Sequence, residues 1–173
     1  MSRRKEVRVG IVMGSDSDLE VLQEALNLLD RFGIGHEVSV ASAHRAPERT
    51  RKYALEAERR GLRVLIAGAG GAAALPGFLA SISNLPVIGV PINATALNGL
   101  DSLLSMAQMP RGVPVATVAV GKWGAANAAI LAAQILALSD PEIKKRLEAY
   151  RRALAREVEE GSERVAARLK KKA

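Results

Sequence analysis

The sequence contains no cysteine, which excludes disulfide bonds, thiol nucleophiles and cysteine-based zinc or iron–sulfur sites. Aromatic residues are also scarce, with two Phe, two Tyr and one Trp among 173 residues. So few aromatic side chains do not build the stacking platforms that single-stranded nucleic acids require. With only two histidines, the one candidate group of metal ligands is the pair Asp16 and Asp18. We therefore expect neither a nucleic-acid partner nor a bound metal.

The chain has fewer acidic than basic residues. It contains 18 Asp and Glu and 25 Lys and Arg, for a net charge of +7. The excess lies at the two ends of the chain. Residues 1–8 carry +3 and residues 139–173 carry +4, whereas residues 9–138 hold ten charges of each sign. A nucleic-acid footprint needs basic residues clustered on a folded face. We interpret both basic ends as solvated segments.

Long hydrophobic runs are missing as well. The first ten residues, MSRRKEVRVG, have no apolar signal-peptide core, so we expect a cytoplasmic protein. Residues 64–82 form an uncharged stretch of nineteen, but Gly and Ala make it weakly hydrophobic and Pro76 interrupts it. We therefore expect no membrane span.

Apolar periodicity alternates between the spacing of strands and the spacing of helices along the chain. Strands are predicted at 7–13, 36–41, 63–67, 86–90 and 113–120, and helices at 18–32, 47–60, shortly after residue 70, 100–109 and 123–138. Such alternation predicts the α/β class: a three-layer αβα arrangement in which helices cover both faces of a parallel five-stranded sheet.

The length of 173 residues predicts a single domain, residues 1–173, with a core at about 7–138. Asp140 as N-cap and Pro141 at the first helical position predict a long C-terminal helical extension over about 140–170. Between residues 64 and 138 only Asp101, Arg111 and Lys122 are charged. Helices this apolar would be exposed in a monomer, so we expect a homo-oligomer in which they bury each other.

Ligands of such sheets bind outside the carboxyl ends of the strands, which directs attention to the loops there. The loop Gly14-Ser15-Asp16-Ser17-Asp18 offers hydroxyls and N–H groups at a helix N-terminus, where an anion such as phosphate is favoured. Asp18 either caps the following helix or accepts hydrogen bonds from a ribose diol. The loop alone does not decide between these roles.

The loop after the second predicted strand contains His44 and Arg45. An imidazole near pH 7 moves protons in either direction, and a guanidinium beside it holds a phosphate bidentately. His36, at the other end of the same strand, is interpreted as structural.

Two further patterns are weaker. The run Gly68 to Ala73 matches a dinucleotide-binding pattern, but it follows the third strand, so it indicates only a close approach of backbone to a ligand or to another helix. Asp16 and Asp18 would suit a magnesium-dependent phosphatase, but no acidic pair follows a later strand, since Asp101 stands alone.

Several long segments resemble one enzyme family over about residues 8–160. They are VGIVMGSDSD, VSVASAHRAPER, LIAGAGGAAALPG, PVIGVPI and LNGLDSLLSMAQMPRGVPVATVAVGKWGAANAAILAAQIL. The family is the class I N5-carboxyaminoimidazole ribonucleotide mutase of de novo purine biosynthesis. The resemblance implies a flavodoxin-like fold, a homo-octamer with active sites shared between subunits, and catalysis without a cofactor.

The resemblance also implies a role for individual residues. Ser15 and Asp18 would bind the substrate, with Asp18 on the ribose, while Ser17 and Arg45 would hold the phosphate. Ser42, Ala43 and His44 would lie at the imidazole, with His44 as general acid and base. The loop residues Gly70, Gly71, Ala74 and Leu75 would cover the base and carboxylate, and Gln108 to Gly112 would come from a neighbouring subunit. Small apolar walls at Ala69, Ala72, Ala73 and Ala74 would hold CO2 between the two half-reactions.

Two positions depart from the family pattern: Ala74 stands where histidine is usual, and Ala46 where threonine is common. Two alternatives therefore stay open beside the mutase. One is a carboxylase that joins CO2 directly to aminoimidazole ribonucleotide, and the other is a mononucleotide-binding oligomer without turnover.

Overall fold

The computed structural model describes residues 6–170 and contains a five-stranded parallel sheet. The strands are β1 (Val7–Met13), β2 (Gly35–Val40), β3 (Val64–Gly70), β4 (Val87–Ile92) and β5 (Ala116–Thr117). Their order across the sheet is β2-β1-β3-β4-β5, so the chain reverses its direction of winding after β2. The carboxyl ends of β1 and β3 are neighbours at this switch point, where a ligand crevice forms in folds of this kind.

Six α-helices connect and flank the strands. They are α1 (Leu19–Phe32), α2 (Pro47–Ala57), α3 (Ala74–Ala80), α4 (Leu100–Ala107), α5 (Lys122–Ala137) and α6 (Pro141–Lys170). Short 3-10 turns at Asp16–Asp18 and Glu58–Arg60 precede α1 and follow α2. None of the helices in the described part of the chain has the length and apolar run that a membrane span requires.

Strand alternation divides the core between the two faces of the sheet. On one face, Ile11 of β1 and Ile66 of β3 pack against α1, α5 and the beginning of α6. Val12, which follows Ile11, and Leu65, which precedes Ile66, point to the other face of the sheet. There they pack against α2, α3 and α4. This is the predicted three-layer α/β architecture with helices on both faces.

The fifth strand is much shorter than predicted. The sequence predicts a strand over 113–120, whereas only Ala116–Thr117 pair with β4. Pro114 has no N–H to donate to a strand ladder. Val113 instead donates its N–H to the carbonyl of Pro110 in a turn. β5 is an edge strand and gains hydrogen bonds from one side only, so nothing compensates for this interruption.

The long helix α6 begins where the sequence predicts. The Asp140 carboxylate accepts hydrogen bonds from the N–H groups of Glu142 and Ile143, at 3.0 and 3.2 Å. It also accepts one from the guanidinium of Arg8 on β1, at 2.7 Å. The cap therefore also anchors the start of α6 to the amino end of the sheet.

Candidate active site

A cavity of about 310 Å³ lies at the carboxyl ends of β1, β2, β3 and β4. Four loops converge on it, one from each of these strands. Its walls are formed by Gly14, Ser15, Ser17, Asp18, Ser42, Ala43, His44, Arg45, Ala69, Gly70, Ala73, Ala74, Leu75 and Ala94.

The loop after β1 presents a cluster of hydroxyls to the cavity. Ser15 caps the short 3-10 turn, and its hydroxyl accepts hydrogen bonds from the Ser17 N–H at 3.4 Å and the Ser17 hydroxyl at 2.9 Å. The Asp18 carboxylate closes the same turn by accepting the Ser15 N–H at 3.1 Å. These contacts hold both serine hydroxyls at the N-terminal end of α1, where the helix dipole favours an anion.

Asp18 is the buried acid of the cavity, with only 7% of its surface exposed. Burial raises the pKa of its carboxyl, and the N–H of Ser15 and the charge of Arg45 partly offset that rise. Although Asp18 precedes α1, its side chain makes no capping bond to that helix. Its carboxylate instead closes the loop before that helix, through the Ser15 N–H.

The loop after β2 carries His44 and Arg45, and it is tied to the first loop. The Ala41 N–H donates to the Met13 carbonyl at 2.8 Å. The Arg45 guanidinium donates to the Gly14 carbonyl at 2.6 Å and to the Ser42 hydroxyl at 3.4 Å. The guanidinium is thereby held beside the serine loop, while His44 is exposed at the mouth of the cavity.

The loop after β3 forms the apolar wall. Gly70 lies so close to Ala94 that a Cβ on residue 70 would be 2.6 Å from the Ala94 Cβ. Ala73 is buried and adopts the left-handed conformation, with φ 44°. Because this conformation is strained for a residue with a Cβ, the packing around Ala73 enforces the shape of this wall.

Asp16 and Asp18 do not form a metal site with other acids. The Asp16 carboxylate accepts from the Ser17 N–H at 3.1 Å, and the Asp18 carboxylate accepts from the Ser15 N–H. Within residues 6–170, no group of three or more His, Asp or Glu side chains is arranged to hold a metal ion.

The family model described as AIR carboxylase matches residues 8–157. The chain belongs to the AIR carboxylase family. A relative from Pyrococcus horikoshii is 58% identical over 157 residues, covering 91% of this chain and 88% of the relative. A relative from Thermotoga maritima is 56% identical over 158 residues, covering 91% of each chain. A relative from Escherichia coli K12 is 52% identical over 157 residues, covering 91% of this chain and 93% of the relative.

All three relatives bear the name N5-carboxyaminoimidazole ribonucleotide mutase. The chain also resembles a solved structure described as PurE of Treponema denticola. The TM-score is 0.81 at 31% identity, covering 90% of this chain and 96% of that one. The family resemblance and the α/β fold inferred from the sequence are thus both confirmed.

The cavity brings together the site residues that the AIR carboxylase resemblance predicts for one chain, except Gly71. Residues 108–112, predicted to come from a neighbouring subunit, lie outside this chain's cavity. Gly71 does not line the cavity; it adopts a positive φ of 60°, and a Cβ there would contact Thr95 at 3.7 Å. Of the proposed CO2 walls, Ala69, Ala73 and Ala74 line the cavity, whereas Ala72 is exposed outside it.

Sequence reasoning missed Ala94 as a wall of the site. It follows β4 in a loop that the topology brings to the same edge of the sheet, but an alanine carries no chemical signal. Its contact with Gly70 is visible only in the folded chain.

Proposed function

We propose that this chain converts N5-carboxyaminoimidazole ribonucleotide into 4-carboxyaminoimidazole ribonucleotide in purine biosynthesis. The observation that carries the proposal is the convergence of an imidazole, an anchored guanidinium and a serine loop on one cavity. The reaction of this substrate requires a group that transfers protons, a group that binds phosphate and groups that hydrogen-bond to hydroxyls. The imidazole, the guanidinium and the serine loop can meet these three requirements. The names of the relatives at 52 to 58% identity support the same assignment.

The nucleotide part of the substrate is held by the loops after β1 and β2. Ser17 and the guanidinium of Arg45 hold the phosphate, which the N-terminal end of α1 also favours. Asp18 accepts hydrogen bonds from the ribose hydroxyls, and Ser15 completes the contacts to the sugar. In this pose the imidazole ring of the substrate extends toward Ser42, Ala43 and His44, which also line the cavity.

The first half-reaction removes the carboxylate from the exocyclic nitrogen. His44 in its imidazolium form donates a proton to that nitrogen, the N–C bond breaks, and its electron pair stays on nitrogen. The products are CO2 and aminoimidazole ribonucleotide, and His44 is left neutral. General acid catalysis of this kind contributes roughly 10²–10⁴-fold.

The second half-reaction forms the C–C bond. The aminoimidazole is an enamine, so its C4 attacks CO2 and gives a carboxylate on a carbon that still bears hydrogen. Neutral His44 removes the C4 proton, and the electron pair of the C–H bond restores the aromatic ring. One histidine thus completes a proton cycle, and no external acid or base is consumed.

Retaining CO2 is the task of the apolar wall. Ala69, Ala73, Ala74 and Leu75 offer no hydrogen-bonding side chain, and Ala69, Ala73 and Leu75 are buried. A small dry pocket holds CO2 against C4, so that recombination replaces a bimolecular encounter. Gly70, which lines the cavity in the same loop, brings the backbone toward the carboxylate.

The working form of the protein is a homo-octamer in which residues 108–112 of a neighbouring chain complete each site. Apolar side chains left exposed around α4 and the start of α5 support an oligomer: Leu97, Leu100, Leu104 and Trp123 keep 61, 54, 51 and 84% of their surface accessible. Patches of this kind mark surfaces that bind protein.

The proposal is tested by comparing two substrates with a chelator present in both reactions. The carbamate substrate is supplied without bicarbonate, and aminoimidazole ribonucleotide is supplied with bicarbonate. Product mainly from the carbamate supports the mutase and shows that Ala74 serves where the family has histidine. Product mainly from the second reaction assigns the chain to direct carboxylation. Binding without product from either would leave a nucleotide-binding protein.

A further inference from the structure

The second half of α6 carries apolar side chains that are not part of the core. Ile143, Leu147 and Tyr150, near the beginning of the helix, pack in the core against α1 and α5. Further along, Leu154, Val158, Val165 and Leu169 keep 42, 73, 59 and 64% of their surface exposed. An apolar surface of this length on a helix that extends from the body calls for a partner.

These exposed side chains continue the face that is buried at the start of the helix. From Leu147 the apolar positions advance in steps of three and four through Tyr150, Leu154, Val158, Gly161, Val165 and Leu169, and such steps stay on one face of a helix. The pattern repeats after eleven residues, since Leu147, Val158 and Leu169 are equally spaced. An eleven-residue repeat follows a nearly straight α-helix closely. We call Leu154, Val158, Gly161, Val165 and Leu169 the distal stripe.

The order of residue types in the distal stripe is the same in both directions, and its two halves differ in length by one residue. Its order is Leu, Val, Gly, Val, Leu, with Gly161 at the centre. A twofold contact between identical chains requires a self-complementary surface of this kind. When two copies cross antiparallel at Gly161, Leu154 meets Leu169 of the other copy, and Val158 meets Val165.

Gly161 has no explanation within its own chain. Glycine inside a helix costs roughly 0.5–1 kcal/mol relative to alanine. A Cβ added at this position would meet only the Arg164 guanidinium, at 3.7 Å, so no intramolecular contact requires its absence. At the centre of an antiparallel crossing, the missing side chain allows the two backbones to approach closely.

Charges beside the distal stripe favour the antiparallel orientation. Glu157, Arg164 and Arg168 lie along one edge of it, separated by seven and four residues. In an antiparallel pair centred on Gly161, Glu157 faces Arg164 and Arg168 of the second copy. In a parallel pair this edge would instead face the other edge of the distal stripe, where Ala155, Ser162 and Ala166 carry no charge. Exposed ion pairs contribute only about 0.2–1 kcal/mol each, so these charges select the orientation more than they supply affinity.

We propose that residues 154–169 of α6 are a docking surface for the same segment of a second copy of this chain, antiparallel and centred on Gly161. The segment spans about 24 Å at 1.5 Å per residue. Isolated helices of this length are marginal in water, so the pair forms as part of a larger association rather than alone. The proposal does not depend on the reaction, because the distal stripe lies on a different element from the cavity.

The absence of cysteine from the natural sequence allows a clean test by single-cysteine cross-linking of the full chain. Gly161→Cys places one thiol at the centre of the proposed crossing, and within its own chain the added Cβ would meet only the Arg164 guanidinium, at 3.7 Å. Ala167→Cys is the matched control, since Ala167 is exposed on the opposite face of α6. Each variant is oxidised with glutathione disulfide at low protein concentration and resolved on a non-reducing gel.

We expect most of the Gly161→Cys chain to be recovered as a covalent dimer and the Ala167→Cys chain to stay at background. Val165→Cys alone is expected not to link, because its two copies are offset by about 12 Å along the helices at 1.5 Å per residue. An equimolar mixture of Val158→Cys and Val165→Cys is expected to give the mixed dimer. This mixture tests the same contact without altering Gly161.

Two results would overturn the proposal. If Val165→Cys links to itself as readily as Gly161→Cys does, the helices pair in parallel. If neither Gly161→Cys nor the mixture exceeds the Ala167→Cys background, the distal stripe does not bind a second copy and is covered by something else. Far-UV circular dichroism and substrate turnover of each variant establish that the chain is folded when it is oxidised.

Discussion

At the scale of the residue, Asp18 is the most buried of the ionisable side chains that line the cavity. It is buried, it accepts the N–H of Ser15, and its pKa is raised above the ordinary value of 3.8 mainly by burial. A raised carboxyl pKa means that the folded chain binds the proton more tightly than the unfolded chain does. The stability of the free protein therefore falls as the pH rises through the interval between the two pKa values.

We predict that Asp18→Asn raises the free energy of unfolding of the ligand-free protein at neutral pH. The gain shrinks as the pH falls toward the ordinary aspartate value, because wild-type Asp18 is then protonated and neutral as well. The same change weakens substrate binding, since the ribose hydroxyls lose a charged acceptor. Urea unfolding at several pH values and a binding titration measure both effects.

Asp16→Asn is the matched control, because Asp16 is an exposed carboxylate two residues away in the same loop. It is expected not to reproduce the pH-dependent gain in stability. If Asp18→Asn is less stable than wild type at neutral pH, the carboxylate is needed for the turn, and the account of its burial is wrong.

Residue identities in the sequence pointed to the polar residues that line the cavity, but not to all of its apolar residues. His44, Arg45 and the serines stand out in the sequence because few residue types can transfer protons or bind phosphate. Ala94 has no such signal, and its place in the wall depends on how the loop after β4 folds back toward Gly70. Apolar walls are defined by packing, and packing is a property of the folded chain.

At the scale of the element, the beginning of α6 combines a helix cap with an ion pair. The Arg8 hydrogen bond is the main reason why the pKa of Asp140 lies below its ordinary value. A lowered carboxyl pKa contributes stability at pH values above the ordinary one. That contribution is lost as the pH falls through the lowered value.

We predict that Asp140→Ala destabilises the protein by about 1 kcal/mol through loss of the cap alone, and by more once the ion pair is counted. Asp140→Asn keeps a capping oxygen and loses only the charge, so its cost is smaller. Chemical unfolding of both variants at neutral pH measures the difference. Equal stability of Asp140→Ala and wild type would contradict the role given to this residue.

Elements were predictable from the sequence wherever local signals and tertiary packing agree. The boundaries of β1, α1, α5 and the start of α6 follow from apolar spacing, helix caps and Pro141. The fifth strand was overestimated because its valines favour a strand, whereas Pro114 and its place at the sheet edge limit the pairing to two residues. An edge strand forms hydrogen bonds with only one neighbouring strand. The strand preferences of individual residues do not show whether a strand lies at the edge of the sheet.

At the scale of the whole molecule, the apolar side chains around α4 are left exposed in the single chain. Leu104 keeps 51% of its surface accessible on this face. Leu55 keeps 53% on α2, but it lies among the charged side chains of Arg51, Lys52 and Glu56. Leu104 and Leu55 are thus about equally exposed, but Leu104 lies among apolar side chains and Leu55 among charged ones. Substituting each of them gives a test variant and a matched control.

We predict that wild type has a native mass of several chains, eight in the proposed octamer, each of 18.3 kDa. Leu104→Ser is expected to shift the chain toward smaller species because it places a hydroxyl in the contact, whereas Leu55→Ser leaves the native mass unchanged. Light scattering after size-exclusion chromatography measures these masses. A wild-type chain that elutes at the mass of one chain would contradict the oligomer.

The central claim is that His44 carries the proton through both half-reactions. The most direct measurement is turnover of the carbamate substrate at saturation by His44→Asn, with His36→Asn as control. His36 lies on β2 with its Nδ1 atom 3.2 Å from the Ile34 carbonyl oxygen, and it does not line the cavity.

The account predicts that His44→Asn loses turnover by at least roughly 10²–10⁴-fold while it still binds the nucleotide and unfolds like wild type. His36→Asn keeps its turnover. Substantial turnover by His44→Asn would remove this histidine from the mechanism and contradict the account.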